Sequence, residues 1–443
     1  MKSLLAPISS LLAGVALLLL GHGLLNTLLT LRGVEEGYTT SLIGLLMSGY
    51  FIGYLLGTWL APPLIRRIGH IRTFAFYAAL AATTALLHIL IVSPWVWMLL
   101  RVLYGVAMVT LYMVIESWLN AKVSGEKRGQ VFAIYMAVNL GALAVAQQLL
   151  SLDSPMNFTL FALSAILICC ALMPITLTRQ VQPSLPDIPP TDLLQLARIA
   201  PLPLMAAALS GLALGGFWGL APVYASQSGF DSSGIGLLMS LTILGGAVLQ
   251  WPLGLLSDRK DRRKVMLWVV SLAALLALLM TPLSAGPLLL GLMFVWGGLV
   301  FSIYSIAMAQ MVDHLNPDEI LSGSSGMLLA FGLGSAIGPG LAGALMHFGP
   351  WTLPLFFATS LAPLALYTLY RARHVVDLVS APYGHFTPIL RTSPTVMEMM
   401  PDSPQNAEED VEDASAEEST GDAAATTATA VSDAPAPDPA EHK

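Results

Sequence analysis

Arg101 is a cation set in an apolar run, six residues after Trp95 and ahead of an uncharged stretch that continues to Ile115, just before Glu116. A guanidinium in such a place is costly to desolvate and usually has work to do. It binds a solute directly, or it lowers the pKa of a nearby acid, or it snorkels to the water interface. Two polar stripes accompany it. His22, Asn26 and Thr30 are spaced by four, and so are Tyr135, Asn139, Leu143 and Gln147. Spacing by four keeps side chains on one side of a helix, where they serve a ligand or bond to a neighbouring helix. His22 is the titratable member, with an ordinary pKa near about 6.5. His88 has no polar companion and reads as a packed or interfacial histidine.

Machinery for making and breaking bonds is missing. The chain has no Gly-x-x-x-x-Gly-Lys-Ser/Thr phosphate loop, no His-Glu-x-x-His and no nucleophile elbow. Cys169 and Cys170 are adjacent on one helix, cannot meet ordinary disulfide geometry, and read as small packing residues. No enzyme, cofactor or metal site is expected, and nothing points to nucleic acid. Energy for any work must come from an ion or solute gradient.

The elements that hold these residues are membrane spans. The chain is 56% apolar and only 11% charged, with a mean hydropathy of +0.73, whereas soluble domains are roughly 25% charged. Twelve apolar stretches are each long enough to cross a hydrocarbon core of about 30 Å. They lie near 8–31, 41–65, 73–92, 95–119, 130–150, 156–177, 201–225, 233–257, 265–283, 287–311, 321–347 and 351–370. The first is too long for a signal peptide and lacks a small-x-small cleavage site.

The sequence is also duplicated. Ile43-Gly44-Leu45-Leu46-Met47-Ser48 recurs letter for letter as Ile235 to Ser240, 192 residues later, and Gly37–Arg67 matches Gly229–Arg259 at 12 of 31 positions. Six spans per copy send both copies through the membrane in the same direction, as parallel repeats about an axis along the membrane normal. The expected fold is an all-α polytopic membrane protein of twelve transmembrane helices in two parallel six-helix pseudo-repeats. One half covers 1–180 and the other 201–375, with a loop at 181–200 and an acidic disordered tail at 376–443.

Of the 20 lysines and arginines, 18 fall at the N-terminus, in the even-to-odd loops or in the C-terminal segment. The positive-inside rule then places both termini in the cytoplasm. From Thr392 onward the chain carries 13 acids and one lysine, so the tail alone turns a membrane body of +5 into a chain of −7. The acidic pI therefore carries no information about a solute.

After the eighth span the chain reads Gly254-Leu-Leu-Ser-Asp258-Arg259-Lys260-Asp261-Arg262-Arg263-Lys264. This resembles the Gly-x-x-x-Asp-Arg-x-x-Arg-Arg loop of the major facilitator superfamily, and the twelve spans resemble its fold over residues 8–371. The resemblance implies a latch that stabilises closure on the cytoplasmic side, with Asp258 seated on the positive N-terminus of the fifth span near Arg128–Gly129. Arg259, Arg262 and Arg263 would hold that carboxylate and pair with other acids, Asp313 being the natural one for Arg262 or Arg263. The first-half copy departs from the pattern, since Arg66 stands where Asp258 stands in the second. Asp318 or Glu319 can compensate by meeting Arg66, and Glu116, at the end of the fourth span, can meet Arg67 or Arg72.

Arg101-x-x-x-Gly105 resembles a motif of proton-coupled members in the fourth span. The family's central cavity is lined by spans that include the first, fourth and fifth. The substrate and coupling residues are therefore expected to be Arg101, His22, Asn26, Tyr135, Asn139 and Gln147. In the second half they are Trp218, Gln250 and Tyr304, with Trp251 and Trp296 as further stacking surfaces; Met293 stands where Arg101 would recur. Gly334-x-x-x-Gly338-Pro339 in the eleventh span is similar to an exporter motif that the family carries in the fifth, and it serves close packing equally well.

The resemblance implies a monomeric secondary transporter of a bacterial inner membrane. It would move a small organic solute by rocker-switch alternating access, coupled to protons, with export of amphipathic compounds one option. Uptake or facilitated passage of a small metabolite is a second. A non-transporting sensor or scaffold derived from a transporter is a third.

Overall fold

A computed structural model describes residues 8–122, 128–177, 183, 193–315 and 319–374. The acidic tail lies outside the described residues, and so do 181–182 and 184–192 of the loop between the halves, whose last part forms a short helix, Leu193–Ile199. Among the described residues, twelve helices are long and apolar enough to cross a membrane. They are α1 (Ser9–Glu35), α2 (Thr40–Ile68), α3 (His70–Leu90), α4 (Pro94–Ala121), α5 (Gly129–Leu152) and α6 (Phe158–Thr176), followed by α7 (Pro201–Gln227), α8 (Ser232–Arg259), α9 (Arg262–Met280), α10 (Pro287–Val312), α11 (Ser322–Phe348) and α12 (Thr352–His374). With an even number of spans, both ends of the described body lie on one side of the membrane, called here the terminal side.

The duplication is visible in local chemistry. Gly37 and Gly229 turn the chain with φ of 77° and 101°, a region that costs glycine little. Two residues on, Thr39 and Asp231 cap α2 and α8 by accepting the Leu42 and Gly234 N–H groups at 3.3 and 2.9 Å. Pro94, Pro201 and Pro287 open α4, α7 and α10, where the missing N–H has no helical partner to lose.

Packing repeats as well. Within each half the second helix lies against the fourth and the first against the fifth, as α2 on α4 and α1 on α5, then α8 on α10 and α7 on α11. Gly53 presses on the Val102 carbonyl, and its counterpart Gly245 on the Phe294 carbonyl, with no room for a Cβ at either. The helices α1, α4, α7 and α10 are the most enclosed. Lipid-facing positions are apolar; Trp59 and its counterpart Trp251 are 63% and 66% exposed. Trp251 therefore lies on the outer surface, because its helix turns that face away from the bundle, and it is no stacking surface for a central site.

The halves join along two seams, α2 against α11 and α5 against α8, with α1 and α7 meeting between them. The repeated hexapeptide forms the core of both seams. Gly44 lies on the Pro339 carbonyl and Gly236 on the Gln147 carbonyl, the same contact made twice at a 192-residue offset. Ser48 Oγ accepts the Gly340 N–H at 3.1 Å. Ser240 Oγ donates to the Ala144 carbonyl and accepts from Gln148 Nε2, both at 2.6 Å. Thr40 adds a bond to the Gly343 carbonyl at 2.9 Å. Gly334 and Gly338 instead press on Ala208 and Leu212 of α7, so the small residues of α11 serve packing on two sides.

Gly53→Val or Gly245→Val should overfill a contact made of backbone and destabilise the half concerned by about 1–3 kcal/mol. Thermal unfolding in detergent should show a drop for each, whereas the open position Gly141, with nothing near a Cβ, should accept alanine unchanged.

Candidate functional site

Arg101 is 1% exposed and points into the bundle, so snorkelling is overturned. Its Nη2 donates to Asn26 Oδ1 at 2.9 Å. The guanidinium lies 4.9 Å from the centre of the Tyr50 ring and 5.9 Å from that of Tyr104, replacing part of its lost hydration with π faces. Gly105 permits this arrangement: it presses on the Tyr50 carbonyl, drawing α2 onto α4 beside the cation. His22 stacks on Tyr104 at 5.7 Å, and its Nδ1 lies 3.2 Å from the Tyr104 hydroxyl.

Asn26 carries the group across the boundary between the halves. Its Nδ2 donates to the Trp218 carbonyl at 3.1 Å. Asn26 and Trp218 are repeat counterparts, 192 residues apart, so they meet where α1 and α7 approach across the pseudo-two-fold axis. Across that boundary the side chains are aromatic. Trp218 packs edge-on to Phe217 and Phe301, and buried Met293 occupies the position of Arg101.

A second buried group lies nearer the terminal side. Glu116 is 0% exposed and accepts the Tyr135 hydroxyl at 2.9 Å. Asn139 Nδ2 braces that tyrosine through its backbone carbonyl at 2.8 Å. This corrects the expectation of a loop-end acid for Arg67 or Arg72, which are exposed with Arg66. Glu116 sits five residues inside the end of α4, on its inward face.

The other expected residues separate. Gln147 accepts from Thr27 at 2.5 Å and donates to the Gly23 carbonyl at 3.3 Å, tying α5 to α1 away from Glu116. Thr30 bonds back to the Thr27 carbonyl at 2.7 Å. Gln250 donates to Ser305 at 2.6 Å, linking α8 to α10. Tyr304 meets Phe331 edge-on at 5.4 Å, and Trp296 stacks on Phe357 at 4.4 Å inside the second half. His88 does have polar companions: its Nδ1 lies 2.6 Å from the Thr84 carbonyl, and its own carbonyl accepts from Trp97. Tyr50, Tyr104 and Thr27 were not singled out from sequence. Tyr104 alone had a signal, its place three residues after Arg101 on the same face.

At the terminal end of the second half, Arg262 lies between Asp258 at 3.3 Å and Asp313 at 3.4 Å. Arg262 and Asp313 are each 3% exposed. Arg263 faces Asp261 at 3.5 Å in a wetter setting, and Arg259 is exposed. These pairs bind the ends of α8, α9 and α10 to one another. The approach to α5 at 123–127, the Arg128 side chain and Asp318 lie outside the described residues. On the far side, Arg32 pairs with Glu36 at 2.6 Å and donates to the Met156 carbonyl at 2.5 Å, clasping the end of α1 to the α5–α6 turn.

A family model described as Major Facilitator Superfamily matches residues 11–203 and again 203–397. An uncharacterized MFS-type transporter, YcaD of Escherichia fergusonii, is 29% identical over 380 residues, spanning 84% of this chain and 98% of that protein. An uncharacterized MFS-type transporter of Enterobacter sp. (strain 638) is 30% identical over 370 residues, spanning 82% and 95%. Among solved structures, the nucleoside transporter NupG superposes with a TM-score of 0.69 at 16% identity, over 82% of this chain and 98% of that one. The fucose:proton symporter FucP of E. coli gives 0.52 at 16% identity, over 83% and 99%. These two share the fold.

Arg262→Ala strands a buried carboxylate and should cost about 3–5 kcal/mol, whereas Arg263→Ala, in a half-exposed pair, should cost less than about 1 kcal/mol. Thermal unfolding of the two variants side by side measures the difference; equal losses would show that burial does not set the strength of this cluster.

Proposed function

The chain belongs to the major facilitator superfamily, and on that premise we propose that it is a secondary transporter of a small organic solute. The observation that carries the reading is the bridge from Arg101 through Asn26 to the Trp218 carbonyl. It places the buried cation of α4 against the boundary that rocking of the halves must open. A solute bound at Arg101 would compete for Asn26, release the Trp218 carbonyl and so favour the state in which the halves have parted. A ligand moves such an equilibrium only by binding one state better than the other. The two seams described above lie toward the far side, and their opening would expose Arg101 to that side.

The latch is assigned to the opposite swing. Asp258, held by Arg262, would seat on the start of α5 when the terminal side closes. Arg66, Arg67 and Arg72 would serve the looser first-half copy, and the distribution of lysine and arginine makes the terminal side cytoplasmic in a bacterial inner membrane. One solved relative is described as a fucose:proton symporter, and a buried carboxylate is the ordinary carrier of a coupled proton. Glu116, bonded to Tyr135, is the better placed carrier for that role. His22 lies between two tyrosine rings beside Arg101, where it is suited to positioning the solute.

Counterflow in proteoliposomes with a broad panel of organic solutes tests the reading. Wild-type protein should exchange at least one solute and accumulate it against its gradient when a pH difference is imposed. Glu116→Gln should keep exchange and lose accumulation by at least tenfold. Accumulation by Glu116→Gln at the wild-type level would remove proton coupling through this residue, and no exchange of any solute would favour a sensor or scaffold.

A further inference from the structure

Arg101 has more hydrogen-bonding capacity than its surroundings use. Nη2 gives one N–H to Asn26, while Nε and Nη1 are buried without a hydrogen-bond partner. One forked edge of the guanidinium therefore keeps both of its N–H groups, the shape that matches a carboxylate. Among the described residues no carboxylate pairs with it. Glu116 lies on the same helix, 15 residues and about 22 Å away at ~1.5 Å per residue. The groups that do surround Arg101 are an amide, an imidazole and two phenol rings, from Asn26, His22, Tyr50 and Tyr104. A buried cation with no counter-ion is an expensive arrangement for structure alone. Replacing it by an apolar residue is what the second half has done, at Met293.

We infer that the solute itself supplies the missing charge, and that this protein binds organic monocarboxylates with an aromatic or amphipathic body. The inference rests on the transporter reading of the same site and adds its substrate class. Arg101 takes the carboxylate on its open edge. Asn26 fixes the guanidinium plane, and the body of the solute lies toward the half that presents Trp218 and Phe301. One unpaired cation fits one negative charge. A dianion would leave its second charge among aromatic rings, and a neutral solute would leave Arg101 as costly as before.

Purified full-length protein in detergent, probed by thermal unfolding and calorimetry, tests this without a gradient. The probes are benzoate, phenylacetate and hexanoate, each beside its amide. At least one acid should raise the unfolding temperature, and its amide should bind at least tenfold more weakly. Arg101→Gln should lose at least tenfold in affinity for the acid, and Arg101→Lys should retain part of it. If Arg101→Gln does not fold, Asn26→Asp, which supplies an internal carboxylate, should weaken the acid by at least tenfold while keeping the fold. The inference is overturned if no acid binds, if acid and amide bind alike, or if acid binding survives these changes. An acid that binds but shows no counterflow would remove the transporter reading and leave the site; counterflow of neutral solutes alone would do the reverse.

Discussion

Backbone laid directly on backbone, twice over, is the contact on which the rest of this molecule depends. Lipid gives two apolar helices little reason to associate, so close approach at small residues must supply the packing. Gly44 on Pro339 and Gly236 on Gln147 are that approach at the two seams, and the repeated hexapeptide is what provides it. Once the seams close, α1 and α7 come together, Asn26 reaches the Trp218 carbonyl, and Arg101 is shut away from water. An extra methyl at either glycine would hold the halves apart and loosen all three.

The two halves kept the same packing and divided the chemistry. Arg101, Asn26, Glu116 and Tyr135 belong to the first half; their counterparts 192 residues on are Met293, Trp218, Met308 and Met327. The ion-pair cluster has the opposite bias. Asp258, Arg262 and Asp313 belong to the second half, and Arg66, His70 and Ala121 stand at the matching places. His70 there bonds Ser117 at 3.1 Å in place of an ion pair. Buried polar groups on one side and a well-formed ion-pair cluster on the other give the two halves different chemistry on the same scaffold.

Much of the fold was legible because hydropathy and internal repetition are properties of long stretches. The expected spans overlap the twelve observed helices throughout, and the identical hexapeptides marked two places of equal importance. Side-chain direction was less legible. Gln147 shares a helix face with Tyr135 by spacing, yet a step of four drifts around the helix, and over three steps Gln147 has come round to α1 while Tyr135 faces Glu116. Glu116 was expected at the end of its span, within reach of a loop arginine, but the helix runs on to Ala121 and Glu116 turns inward to Tyr135. Trp251 looked like a site residue because tryptophan suits both a binding cavity and a lipid surface, and only the packing of α8 distinguishes the two. Arg101 was readable from its cost alone, and Asn26 and His22 from their stripe, but Tyr50 on α2 and Tyr104 beside it were not.

Rocking about the glycine seams is the central claim, and locking one seam tests it. In protein lacking Cys169 and Cys170, cysteines at Ser48 and Gly340 would stand where the side-chain oxygen of one now accepts the N–H of the other at 3.1 Å, with room for the added Cβ. Oxidation should cross-link the pair and stop exchange across proteoliposomes, and reduction should restore it. Exchange that continues at full rate with the cross-link complete would contradict the account.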